Sequence, residues 1–248
     1  MVAGDPLFSH FLAALSAVFP NGEDFFVDSV RNYRDVVEHD PDMKAKVRGF
    51  IGQEAMHGRE HRSFNERLAA VGYPTAALDS HLLKVANRLR KLPKPVQLAI
   101  TAASEHFTST LAHALLSDEE TRRTLFASPD GQLLITWHAL EELEHKDVAF
   151  DLFERVSGSY AVRMLGLGLA AVGFGRVVLL GYVRAASGDR RHLNRGALKT
   201  HRRNLAKQRM VSLEAGREIL EYVRPGFHPR DINTDALVVE WRQVLEPQ

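Results

Sequence analysis

A chain of 248 residues with 45% hydrophobic and 25% charged side chains can bury a large core and has the composition of an ordinary soluble protein. Its 32 basic and 31 acidic residues leave a formal charge of +1, which excludes a global field that would recruit nucleic acid or a strongly acidic partner. The lack of cysteine excludes disulfides, thiolate nucleophiles and sulfur-ligated metals, whereas the 12 histidines keep oxygen and imidazole ligands available.

Apolar residues recur almost everywhere at helical spacing, and no stretch shows β-branched alternation between turn signals, so the expected class is all-α. The N-terminus lacks the basic, apolar and small-residue order of a signal peptide, which points to the cytoplasm. A short helix is expected over residues 7 to 18, ending before Pro20. A second starts near Asn21 and runs to about residue 38, with Glu23 and Asp24 in its first turn, where carboxylates suit the helix dipole. His39, Asp40 and Pro41 form the break, because the residue before a proline is pushed out of helical geometry. A long helix over 41 to 71 stops at Gly72, Tyr73 and Pro74. Further helices are expected over 76 to 91, 94 to 117 and 130 to 157, separated by Pro93, Pro95 and a turn of Ser128, Pro129, Asp130 and Gly131.

Residues 160 to 183 are almost entirely apolar, contain Gly166, Gly168, Gly173, Gly175 and Gly181, and approach the ~20 residues that cross a bilayer. Arg163 and Arg176 interrupt them, and hiding Arg176 in mid-membrane would cost at least about 3 kcal/mol. The leading expectation is a buried helix packed through glycine; a membrane-surface helix or the wall of a lipid-sized pocket are the alternatives. The strongly basic run over 187 to 209 reads as a solvated helix face able to meet anionic headgroups, so peripheral membrane contact is open through 160 to 210. The tail, with Leu237, Val238 and Trp241 on one face, reads as a closing helix. The expected organisation is a single all-α domain over 1–248, with a four-helix bundle core at 20–157 and a helical extension at 158–248.

Four places offer metal ligands: Glu23; Glu54 with His57; Glu105; and His138, Glu142 and His145 within WHALEELEHKD. A Glu-x-x-His pair sets both side chains on one helical face, about 300° apart round the axis, so both reach one ion. Two such pairs, each with a further Glu on another helix, make the ligand set of a dinuclear centre in a four-helix bundle. The hairpins agree in register: Glu23 and the Glu54/His57 pair lie about equally far from the turn at Asp40, roughly 24 Å along each helix. Glu105 and Glu142 likewise flank a centre near Arg123. His61, one turn beyond His57, is expected behind the ligands as a hydrogen-bond donor, with a ligand or proton-carrying role as alternatives. Glu141 competes with Glu142 for the pair with His145, and the three-residue spacing shared with Glu54/His57 favours Glu142. His106, Glu144, Lys146 and Asp147 are expected at the surface or orienting the imidazoles. Phe50, Ile51, Met56 and Phe64, then Leu98, Ile100, Phe107 and Leu111, then Leu133, Leu134, Trp137, Leu140, Val148 and Phe150 supply the surrounding apolar faces.

These motifs resemble those of the ferritin-like di-iron carboxylate superfamily. The phrases FPNGEDFF, GQEAMHGREH, SEHF and WHALEELEHKDVAFD are similar to the bacterial family labelled predicted metal-dependent hydrolase. The resemblance implies a ferritin-like four-helix bundle with additional C-terminal helices, Glu23, Glu54, Glu105 and Glu142 as carboxylate ligands, and His57 and His145 as imidazoles. His138 makes His-x-x-x-Glu-x-x-His, which resembles the three-histidine pattern of the di-iron arylamine N-oxygenases and would make it a seventh ligand. Two ions are implied, iron first, with manganese or a mixed pair allowed. The leading expectation is an O2-dependent oxidoreductase acting on a small, apolar, lipid-like molecule with electrons from an external donor. A metal-dependent hydrolase using a metal-generated hydroxide is the alternative, and a non-enzymatic iron-binding protein the third reading. A homodimer is expected.

Overall fold

The computed structural model describes residues 2, 4–125, 129–188 and 194–245. Ser128 of the expected turn, residues 189–193 of the basic run and residues 246–248 of the tail lie outside them. Among the described residues all regular structure is helical.

The first helix departs from expectation. α1 (Pro6–Arg31) begins at Asp5, whose carboxylate accepts from the Phe8 amide at 2.9 Å, and runs without a break through Pro20. A proline inside a helix strips the carbonyl four residues back of its donor. Here that carbonyl belongs to Ser16, and Asn65 Nδ2 donates to it at 3.1 Å. Arg62 donates to the Pro20 carbonyl at 3.3 Å. Both donors come from α2 (Pro41–Ala70), and the Asn65 amide supplies what the proline removes. α1 ends at Arg31, and a short 3-10 turn (Arg34–Val37) completes the stretch expected to be helical to 38. The break at Asp40 stands: Asp40 caps α2 by accepting from the Met43 amide, and Pro41 occupies the first turn, where no amide proton is needed.

α3 (Thr75–Leu89) and α4 (Lys94–Ser117) follow. The connection after Ser117 contains α5 (Glu119–Leu125). The helix expected over 130 to 157 is two helices, α6 (Pro129–His145) and α7 (Val148–Val156). Nothing in local propensity forces a stop at Lys146 and Asp147, and the cause is tertiary. Lys146 Nζ donates to the Ile232 carbonyl and to Thr234 Oγ1, and Asp147 accepts from Arg230. The break also lets Val148, Ala149, Phe150, Leu152 and Phe153 all be buried.

α8 (Tyr160–Gly188) packs one face through glycine, at Gly166 against Ala99 of α4 and at Gly181 against Ala14 and Leu78. Its other face carries Leu165, Val172, Leu179 and Val183, each more than half exposed. Among the described residues it is the one helix long and apolar enough to cross a membrane, and only 28% of its most apolar window is buried. The expectation of a core helix therefore holds for one face only. Arg163 is buried, its guanidinium bonded to the Arg224 carbonyl and set over the rings of Phe150, Tyr160 and Tyr222. Arg176 is exposed.

α9 (Arg195–Leu205) is basic and has no buried residue, as a solvated face requires. α10 (Leu213–Glu221) and α11 (Asp235–Leu245) close the described chain. Four residues expected at the surface or behind the imidazoles instead hold this C-terminal part. His106 bonds the Glu218 and Ile219 carbonyls, Lys146 bonds Ile232 and Thr234, Asp147 pairs with Arg230, and Glu144 pairs with Arg242. Of the apolar residues assigned to the core, Met56 and Leu133 are exposed at 42% and 58%. Each lies on the outer side of its helix, away from the ligands.

The buried apolar residues form two clusters. One gathers Phe25, Phe50, Leu98, Phe150 and Phe153; the other gathers Phe8, Leu12, Leu115, Leu116 and Leu140. On α1 and α2 the candidate ligands fall in sequence between residues of these two clusters, and on α4 Glu105 falls among residues of the first, so the carboxylates and imidazoles sit within the apolar interior.

Candidate metal centre

α1 brings Glu23, α2 brings Glu54 and His57, α4 brings Glu105, and α6 brings His138, Glu142 and His145. All seven are between 0% and 4% exposed. Glu54, His57, Glu142 and His145 each offer one ligand atom within 4.8 Å of the others, and so do Glu23, His57 and His138. His57 belongs to both groups. Its Nδ1 stands 3.6 Å from an oxygen of Glu54 and 3.6 Å from one of Glu142. His145 Nε2 lies 3.3 Å from Glu54, and its Nδ1 lies 3.2 Å from Glu105 but out of line for a hydrogen bond. Gly58 leaves room for Glu23, because a Cβ there would stand 3.3 Å from the Glu23 carboxylate.

Neighbouring side chains orient the imidazoles. Glu141 is not in either group: its Oε2 lies 2.8 Å from His57 Nε2, on the side away from Nδ1. A proton on Nε2 shared with that carboxylate leaves the His57 Nδ1 lone pair aimed at the other carboxylates. His61, Ser16 and Asn65 act on His138. Because Asn65 Nδ2 is spent on the Ser16 carbonyl, its Oδ1 must accept, and the Ser16 hydroxyl donates to it at 2.8 Å. Ser16 Oγ therefore accepts from His61 Nδ1 at 2.9 Å, His61 Nε2 accepts from His138 Nδ1 at 2.7 Å, and His138 Nε2 is left without a proton. That nitrogen lies 2.8 Å from Glu142 Oε1 and 3.8 Å from Glu23 Oε1. Phe19 stacks on His61 and meets His138 edge-on, holding both rings. Ser16 and Asn65 lie outside the motifs, and the one signal for them is the position of Ser16 four residues before Pro20; Phe19 opens the phrase FPNGEDFF, which assigns it no role.

The electrostatics of the bare site are unfavourable without a cation. Both oxygens of Glu23, Glu54 and Glu105, one of Glu142, Nδ1 of His57 and both nitrogens of His145 are buried without a hydrogen-bond partner. Buried polar atoms left unpaired are costly, and buried charges more so. Burial, then the neighbouring Glu54 charge, pushes the Glu23 carboxyl well above the usual range, with His57 pulling the other way. Burial together with Glu54 and Glu142 pushes the Glu105 carboxyl up to about 8. Burial opposes a charge on His145, but the carboxylates of Glu105, Glu54 and Glu142 outweigh it and raise that imidazole to about 9. His61 and His138 are driven well below the usual range by burial and by neighbouring imidazoles, so both are neutral. Four carboxylates and three imidazoles, most with buried atoms left unpaired, are the donor set that divalent first-row metals take once deprotonated, and the residues present fit such ions.

Two outcomes follow from this arrangement. Glu141→Gln removes the negative partner of His57 Nε2 without touching the cluster, and metal affinity should fall roughly 10- to 100-fold. A chelator-competition titration reads this, and unchanged affinity would show that Glu141 does not orient His57. Glu105 and His145 both hold protons at neutral pH in the metal-free protein. A cation must displace them, so uptake should release protons, and affinity should climb as pH rises from about 7 to about 9. Calorimetry in buffers of differing protonation enthalpy measures the release; uptake without proton release would contradict the assignment.

Comparison with known families gives one finding. Residues 1–233 match the family model described as "Predicted metal-dependent hydrolase". No curated protein and no solved structure matches the chain.

Proposed function

The chain belongs to the predicted metal-dependent hydrolase family, and from that membership and the buried Glu/His cluster we propose a dinuclear-metal enzyme, with iron as the working metal, that uses O2 to oxidise a small apolar molecule. Glu23, Glu54, His57, Glu105, His138, Glu142 and His145 hold the two ions, and α1, α2, α4 and α6 form a ferritin-like four-helix arrangement around them. The observation that carries this reading is the set of unpaired, fully buried carboxylates and imidazoles placed within the apolar interior. Such a place excludes water and suits oxidation of an apolar substrate more than delivery of water to an ester. When bound, the ions would supply two-electron oxidation, with R–H, O2, two electrons from an external reductase and two protons giving R–OH and H2O. The chain's own part is to hold its ligands in one tautomer: Glu141 fixes His57, and the His61, Ser16 and Asn65 series fixes His138.

The family description favours a second reading, metal-dependent hydrolysis, on the same centre. Anaerobic loading with Fe(II), followed by addition of O2, separates the two. The expected result is about two irons per chain and O2 consumption coupled to iron oxidation, seen by an oxygen electrode and Mössbauer spectroscopy. Cleavage of p-nitrophenyl acetate or phosphate stimulated by metal, without O2 uptake, would establish the hydrolase instead.

A further inference from the structure

Two cavities lined mainly by apolar side chains touch the centre from different sides. The first, about 100 Å³, lies between α1, α3, α4 and α8 and reaches Glu23. The second, about 60 Å³, ends on His138 and Glu142. Phe19 and Thr108 line both, so the two approach each other at those side chains. The polar inventory of the walls is the informative part. Outside the centre it consists of Asn21, Ser104 and Thr108. Asn21 spends its amide nitrogen on Asp79 at 2.6 Å, Ser104 donates to the Ile100 carbonyl, and Thr108 donates to the Glu105 carbonyl. Among the described residues, no wall hydroxyl or amide nitrogen outside the centre is left to donate to a phosphate or a carboxylate. Binding sites for polar molecules place polar groups to fix orientation, and a wall with so few, their donors already spent, selects mainly by shape and apolar area.

We propose that these cavities are the two arms of one substrate site that takes an unbranched hydrocarbon chain, laid past Phe19 so that an interior methylene, not a polar end, faces the metal centre. The inner face of α8 supplies part of the first arm through Leu169, Gly173 and Phe174. This explains why the glycines of α8 have different uses. Gly166 permits close approach to α4, whereas a Cβ at Gly173 would meet nothing within 4 Å, because that glycine borders the cavity. As a statement about the substrate this rests on the oxidase reading; as a statement about binding it does not.

The test is therefore a binding measurement. Purified protein, metal-free and iron-loaded, is equilibrated with n-hexane, n-octane and n-decane, and the bound fraction is read by headspace gas chromatography. Each added methylene should tighten saturable binding about fourfold until the arms are filled. Gly173→Phe fills the first arm and should weaken n-octane binding at least about tenfold. Its helical circular dichroism and iron content should match the parent. Gly175→Phe, on the exposed face where a Cβ also meets nothing within 4 Å, should bind as the parent does. Absence of saturable alkane binding, or equal binding by Gly173→Phe, would overturn the proposal. Normal alkane binding alongside a failed iron and O2 experiment would leave this site standing and remove the oxidase reading.

Discussion

Glu54→Gln should abolish dinuclear metal loading while leaving the metal-free protein close to the parent in stability. Glu54 is 1% exposed, and its Oε1 is the oxygen that approaches both His145, at 3.3 Å, and His57, at 3.6 Å. Glu142 is the other carboxylate that offers an oxygen within 4.8 Å of both imidazoles. Removing its charge leaves two cations sharing fewer buried counter-charges, and an uncompensated buried charge costs roughly 3 to 5 kcal/mol, more than a hundredfold in affinity. Without metal two effects oppose each other. Glu54 is the largest source of charge repulsion on both Glu23 and Glu105, which its neutralisation relieves, and it is also a counter-charge to His57 and His145, which its neutralisation removes. Metal content after gel filtration, with thermal unfolding in chelator, gives both readouts. Two tightly held ions in Glu54→Gln would refute the ligand assignment; a collapse of metal-free stability would show that the carboxylate is structural.

The second large effect concerns α8. A Cβ on Gly166 would lie 2.5 Å from the carbonyl carbon of Ala99 and 2.6 Å from its Cβ and its oxygen. Those atoms belong to the backbone and first side-chain carbon of α4, which no rotamer change can move. Gly166→Ala must push the two helices apart, and overpacking of this kind costs about 3 kcal/mol. For a chain of this size that lowers the melting temperature by roughly 6 to 12 °C. Gly168→Ala is the matched control: nothing lies within 4 Å of its Cβ, and replacing a mid-helix glycine should raise stability by up to about 1 kcal/mol. Equal melting of the two variants would mean that α8 does not approach α4 as closely as described.

The helix ends that sequence could place are those with a local cause. Asp40 and Pro41 start α2 because a capping carboxylate and a first-turn proline act within four residues. The grouping of the candidate ligands was legible for a similar reason, since the rise per residue and the helical repeat are constants and put Glu23 level with the α2 pair. The misplaced boundaries have distant causes. α1 continues through Pro20 because Asn65, 45 positions away, supplies a donor; α6 stops at His145 because Lys146 and Asp147 answer to Arg230, Ile232 and Thr234. Glu141 and Glu142 differ by one residue, a rotation of about 100° on a helix, and spacing alone left both open as partners of His145. The structure sets Glu142 among the ligand groups and Glu141 on the far nitrogen of His57. Periodicity could not show that one face of α8 stays uncovered, because an apolar residue reads the same on either side.

The repaired gap at Pro20 also bears on the order in which the chain folds. An isolated α1 lacks the donor to the Ser16 carbonyl, so its two halves would form as separate, frayed turns, and only the arrival of α2 makes them one rod. The same amide that splices the rod decides which nitrogen of His138 carries the proton. Assembly of the α1–α2 hairpin and setting of an imidazole tautomer are thus one cooperative event, so a half-docked intermediate lacks a ligand-ready His138 and has little hold on a cation before the hairpin is closed.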